Sequence, residues 1–243
     1  MHEVNDVEER QADRRFGARA VLAFIAVGLV GVPFAILTVL VTSKSNALAR
    51  VDDATTNALH AYAVDHQTFT DTMKLISTVA SPLGWWIVLT PLFGWLLIAR
   101  RFRLAAFVAV TAIGSSLLNL LIKTVVDRAR PHLVDPVAAA TGTSFPSGHT
   151  QSATVGFAIL LVVFLPLVPR SARILLWVAG AICVALIGFS RIALGVHYLS
   201  DVVGALVIGS AWAIAMTAAF SAWRRELSPS GSDTEAAAAG VEL

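Results

Sequence analysis

Long apolar runs constrain this chain more than any other feature. A helix that is apolar all round must be covered by lipid or by a large protein interior. Taking roughly 20 residues as the length that crosses a bilayer, the runs predict six membrane spans: Ala20–Thr42, Pro82–Ala99, Leu104–Ile122, Gly148–Val168, Ile174–Leu194 and Leu199–Phe220. The less apolar Met73–Ser81 extends the second span backward. The first run is longer than a signal-peptide core and no clean small-residue cleavage site follows it, so it reads as a retained anchor. With 56% hydrophobic and only 14% charged residues in 243, the chain has too few charges to cover a soluble protein of its size. The expected fold class is all-α, a polytopic membrane protein.

Arginines set the expected orientation. Arg10, Arg14, Arg15 and Arg19 precede the first span. Arg100, Arg101 and Arg103 separate the second from the third, Arg170 and Arg173 the fourth from the fifth, and Arg224 and Arg225 follow the sixth. With six spans all four clusters fall on one side, which should be the cytoplasm, and both termini lie there too. The chain then divides into a cytoplasmic tail at 1–19, a six-span domain at 20–222 and a disordered cytoplasmic tail at 223–243. The outer side receives the polar segment 43–72, expected to form one or two helices on the membrane surface, then Lys123–Ser147 and the short Gly195–Tyr198.

A formal charge of +2 with no basic stripe excludes a nucleic-acid partner. Cys183 is the sole cysteine and sits in an apolar run, so neither a disulfide within the chain nor a cysteine metal site can form. No carboxylate cluster suits magnesium and no spacing suits zinc, so neither a metal nor another cofactor is expected.

Polar residues beside membrane spans are costly and ask for a reason. Three stretches hold most of them. In the first, Lys123 and Arg130 lie seven residues apart, two helical turns, on a shared face if the helix runs that far. Such a pair makes an anion site or snorkels toward lipid headgroups. In the second, Phe145-Pro146-Ser147-Gly148-His149 stands just before the fourth span. A Ser-Gly turn opening a helix presents free N–H groups and the positive end of the helix dipole to an anion, with His149 in the first turn. A plain helix cap beside a surface histidine fits the same residues. In the third, Ser190-Arg191 is followed by His197 and Asp201. Four residues apart, these two share a helical face, so the carboxylate can hold one imidazole nitrogen and leave the other free to attack. A capping aspartate near a histidine is the simpler reading of that pair, though not of all three residues.

Together these stretches resemble the type 2 phosphatidic acid phosphatase superfamily. Its signature, K-x6-RP, then PSGH, then SR-x5-H-x3-D, is met in order by Lys123, Arg130 and Pro131; by Pro146, Ser147, Gly148 and His149; and by Ser190, Arg191, His197 and Asp201. The resemblance implies a membrane lipid phosphatase in which His197, held by Asp201, is the nucleophile. It implies that His149 protonates the leaving oxygen and later serves as base. Lys123, Arg130, Arg191, Ser147 and the Gly148 amide would hold the phosphate. Arg128 and His132 lie close enough to the first motif to be further substrate contacts, with Asp127 a residual candidate. His60 and His66 read as polar residues of the surface segment.

The superfamily also contains soluble vanadate-dependent haloperoxidases with a related anion pocket, but six spans in a chain this short argue against that branch. A lipid-phosphate binding or transport protein would need neither a nucleophile nor an acid, and a non-catalytic relative would be expected to carry a broken motif. The expected substrate is a lipid phosphate or pyrophosphate from the outer leaflet. Polyprenyl pyrophosphate is favoured, ahead of phosphatidylglycerophosphate, phosphatidic acid and diacylglycerol pyrophosphate. The motif itself reads only the phosphate that all of these share.

Overall fold

The structure, a computed structural model, describes Gly28 and residues 31–226, the side chains of 222–226 excepted. The expected N-terminal tail, the start of the first span and all but the first residues of the C-terminal tail lie outside the described residues. Those described form helices and no strand: α1 (Gly31–Thr42), α2 (Asn46–Asp65), α3 (Gln67–Val79), α4 (Pro82–Ile98), α5 (Phe102–Val126), α6 (Gly148–Phe164), α7 (Arg170–Ala193) and α8 (Leu199–Glu226). A single 3-10 turn, Leu165–Leu167, lengthens α6.

Four of these elements, α5, α6 with its 3-10 turn, α7 and α8, are long and apolar enough to cross a bilayer, and up to six crossings result if each of two bent pairs counts as one. The chain is a multi-span, all-helical membrane protein. Many of its large apolar side chains are exposed, among them Ile98, Val125, Ile174 and Leu175, as expected where lipid is the solvent.

Helix boundaries depart from the hydropathy runs where capping overrides apolarity. Met73–Ser81 does not continue the second span in a straight line. It belongs mostly to α3, which starts at Gln67 and meets α4 at a 40° bend. The break lies at Ser81, whose side chain accepts the Gly84 N–H at 3.1 Å while Pro82 takes the first helical position. Similarly α5 runs past Ile122 to Val126 and so carries Lys123 in its last turn. Helix α8 continues past Phe220 to Glu226, into the segment expected to be a tail.

Helix α6 is the centre of the bundle and packs on α4, α5, α7 and α8. Small residues allow this. A Cβ on Gly156 would stand 2.1 Å from the Trp85 ring, and one on Gly114 would stand 2.3 Å from the Trp212 ring. Trp212 also donates its ring N–H to the Thr111 carbonyl at 2.8 Å, tying α8 to α5. Between α5 and α6 the Gln151 amide donates to Ser115 at 3.0 Å and accepts from Asn119 at 2.9 Å, so no part of that buried amide lacks a partner. At one end of the bundle Arg100, Arg101 and Arg103 gather with Leu167 and Ser221 around a common cavity. The polar motifs collect at the other end.

Candidate active site

Two helix starts and one helix end converge at the polar end. Ser147 caps α6, its hydroxyl accepting from the Thr150 N–H at 3.4 Å and the Thr150 hydroxyl at 3.0 Å. Its own N–H donates to the Asp201 carbonyl at 3.1 Å, which docks the start of α6 on the first turn of α8. Helix α7 ends at Ala193 and is closed by Gly195, whose φ of +68° few side chains tolerate and whose N–H donates to the Ile192 carbonyl at 2.8 Å. A side chain there would also strike Leu133, 2.2 Å from the position of its Cβ. That tight turn returns the chain at once into α8 and sets His197 between the two helices.

His197 is 2% exposed and Asp201 is fully buried. The imidazole Nδ1 lies 3.3 Å from one carboxylate oxygen of Asp201, which also accepts the Tyr198 N–H at 3.0 Å. A carboxylate partner on Nδ1 assigns that nitrogen the proton. Nε2 is then the lone-pair side, and it faces the Arg130 guanidinium at 3.2 Å. Burial lowers the His197 pKa to about 4; Asp201 opposes the shift, and the charges of Arg130 and Arg191 add to it. The ring is therefore neutral at pH 7, as attack requires.

The cations surround this nitrogen. Arg130 also donates to the Val196 carbonyl at 2.6 Å and to the carbonyls of Thr141 and Gly142. Lys123 reaches the Thr143 carbonyl at 2.6 Å. Arg191, mostly buried, donates to the Ser77 hydroxyl of α3, and its Nε has no partner among the described residues. These three cations have no carboxylate partner among the described residues, so the positive charge at the site is available to an anion. His149, half-buried in the first turn of α6, lies within electrostatic reach of Arg191, His197 and Arg130. Gly148, also half-buried, precedes it. All eight residues picked out from the motifs thus lie at this end of the bundle.

Two sequence expectations need correction. Arg128 is not left facing a substrate: it donates to Asp52 at 2.8 Å, to Asp201 at 2.7 Å and to the Ser200 hydroxyl at 2.6 Å, and lies 4.2 Å above the Tyr198 ring. Its pKa is raised, since burial alone would lower it but Asp201 and Asp52 outweigh that effect. His60 is not a surface residue; it is buried, with Nε2 2.8 Å from the Val134 carbonyl. Asp52 and Ser77 lie outside the three motifs, yet Ser77 meets the motif residue Arg191 and Asp52 reaches Arg128 and Ser200, which flank motif residues. Their signal was weak, since Asp52, Thr56 and His60 recur at four-residue spacing inside a segment whose overall polarity suggested water. His66, His132 and Asp127 are exposed.

A multi-span helical bundle holding a buried histidine against an aspartate, beneath three cations without carboxylate partners, defines a class of membrane protein built to meet an anion. A family model described as the PAP2 superfamily matches residues 103–225, from α5 through α8 and across all three motifs. The chain belongs to the PAP2 superfamily.

Phosphatidylglycerophosphatase B of Bacillus subtilis is 36% identical over 38% of this chain and 46% of its own length. An undecaprenyl-diphosphatase of Sulfolobus acidocaldarius is 26% identical over 51% of this chain and 58% of its own. The chain thus spans about half the length of these curated relatives. The crystal structure of a transmembrane PAP2-type phosphatidylglycerolphosphate phosphatase from Bacillus subtilis superimposes with a TM-score of 0.70 over 82% of this chain and 96% of that one, at 21% identity, a likeness of fold.

Proposed function

We propose that this protein is a lipid phosphatase that works without a metal through a phosphohistidine on His197. The observation that carries the reading is the disposition of the His197 ring, with Nδ1 on Asp201 and Nε2 facing Arg130. The Nε2 lone pair attacks the terminal phosphorus, and the bond from that phosphorus to the departing oxygen breaks, the lipid alcohol's oxygen in a phosphomonoester and the bridging oxygen of the lipid monophosphate in a pyrophosphate. Lys123, Arg130, Arg191, the Ser147 hydroxyl and the Gly148 N–H hold the phosphate oxygens and stabilise their charge. The orphaned Nε of Arg191 gains a partner in this way. His149 gives a proton to the departing oxygen, then takes one from the water that attacks the phosphohistidine, and inorganic phosphate leaves.

The protein crosses the membrane six times, with both termini in the cytoplasm and the site on the outer face. Four arginine clusters on one side support this orientation. A lipid reaches the site sideways. A cavity of about 440 Å³ between α3, α4, α6 and α7 is lined by Ile76, Val79, Trp85, Phe157 and Ile187, and α3 also carries Ser77, the partner of Arg191. Polyprenyl pyrophosphate from the outer leaflet is the favoured substrate, in keeping with the undecaprenyl-diphosphatase relative. Phosphatidylglycerophosphate is the second reading, in keeping with the phosphatidylglycerophosphatase B relative.

The test is phosphate release by purified protein in detergent with EDTA present, over polyprenyl pyrophosphate, phosphatidylglycerophosphate, phosphatidic acid and diacylglycerol pyrophosphate. Release from at least one lipid, abolished by His197→Ala, is expected. Activity that vanishes in EDTA and returns with magnesium overturns the metal-free mechanism, and full activity in His197→Ala overturns the nucleophile.

A further inference from the structure

Helix α2 presents its polar stripe inward. Asp52, Thr56 and His60 are buried while Val51, Tyr62 and Val64 are about half exposed. A buried carboxylate requires close compensation. For Asp52 it comes from three donors: the Arg128 guanidinium at 2.8 Å, the Ser200 N–H at 2.9 Å and the Ser200 hydroxyl. The same guanidinium meets the free oxygen of Asp201, whose other oxygen holds His197. One cation is therefore shared by two buried carboxylates, and the group as a whole carries one negative charge.

That sharing has a chemical consequence. Paired with Arg128 alone, Asp201 would be neutralised and would accept the imidazole N–H weakly. Without Arg128, two buried carboxylates would repel, and Asp201 would tend to take up a proton. We infer that Asp52 and Arg128 are positioning residues for the nucleophile, dividing one guanidinium between two carboxylates so that Asp201 stays charged and correctly turned toward His197. Two further contacts fix the same geometry. Asp52 grips the Ser200 N–H in the first turn of α8, the turn that carries Asp201. Arg128 covers the Tyr198 ring, and the Tyr198 N–H donates to Asp201. Helix α2, outside the three motifs, thereby becomes part of the catalytic framework.

This inference rests on His197 being the nucleophile, so His197→Ala is assayed beside the variants of the network. In purified full-length protein, Asp52→Asn should lower kcat by about 10- to 100-fold, the usual effect of losing an outer partner in a site. KM should stay within about twofold, because Asp52 does not touch the substrate. Asp52→Glu keeps the charge and should recover most of the rate. Arg128→Gln should also slow turnover, and the Asp52→Asn/Arg128→Gln double variant should be no slower than Arg128→Gln alone, since Asp52 then has nothing to share. The double variant removes both charges together, so it tests the coupling even if Asp52→Asn fails to fold. An inactive His197→Ala beside a full-speed Asp52→Asn overturns this inference alone. So do losses that multiply in the double variant, or an Asp52→Glu as slow as Asp52→Asn. Turnover by His197→Ala overturns the reading beneath it.

Discussion

The two histidines of the site differ in their surroundings. His197 is enclosed and bound to Asp201, whereas His149 is half-buried with no carboxylate at ion-pair distance among the described residues. Only His197 is therefore fixed in one tautomer by a buried anion, as a nucleophile should be. In the proposed mechanism His149, in the first turn of α6, gives a proton to the departing oxygen. A lipid alcohol is a poor leaving group and needs that proton, a contribution of about 10²–10⁴-fold; the leaving group of p-nitrophenyl phosphate needs it far less. His149→Ala should therefore lose more rate on phosphatidic acid than on p-nitrophenyl phosphate, compared as the product burst of a single turnover. It should still place phosphate on His197, while His197→Ala becomes no phosphoenzyme at all. Phosphate recovered on His149 would reverse the two roles.

Among the elements, α6 depends on its glycine most directly. Gly156 lets Trp85 of α4 lie flat on the helix, and an added methyl would sit 2.1 Å from the ring. Gly156→Ala should destabilise the protein by about 1–3 kcal/mol, the usual cost of overpacking. Gly94→Ala, where nothing lies within 4 Å of the added Cβ, should stay within about 0.5 kcal/mol. Unfolding in detergent followed by tryptophan fluorescence measures both, and equal stability of the two variants would mean that the Trp85 contact is not tight. Helices α2 and α3 follow a different logic. A hydroxyl bond from Thr70 to the Ala63 carbonyl at 2.6 Å clasps them across their turn; α2 brings Asp52 to Arg128 and Ser200, and α3 brings Ser77 to Arg191.

At the scale of the whole molecule, the bundle has two chemically distinct ends. The arginines of the α4–α5 turn lie at one, and Lys123, Arg130, Arg191 and the histidines lie at the other. In the proposed topology the first end is cytoplasmic and the substrate phosphate is bound outside. Single cysteines introduced as Asp135→Cys and Ser232→Cys report this, because the one native cysteine, Cys183, is only partly exposed within an apolar helix. An impermeant thiol reagent applied to intact cells should label the Asp135→Cys protein and spare Ser232→Cys. The reverse pattern would invert the topology.

The sequence by itself determined the helical class and the long apolar runs, which rest on local pattern, and the eight site residues, which rest on a resemblance carried by local spacing: four residues from His197 to Asp201, seven from Lys123 to Arg130. It could not determine which polar residues of the 43–72 segment turn inward. Burial of Asp52 depends on Arg128 and Ser200, which are 76 and 148 residues away along the chain. It likewise could not locate the bend at Ser81, where a cap competes with an unbroken apolar pattern, or find Ser77 beneath Arg191. The tertiary structure decided these points, because the compensation that lets a carboxylate or a guanidinium leave water comes from groups that only the folded chain brings within hydrogen-bonding distance.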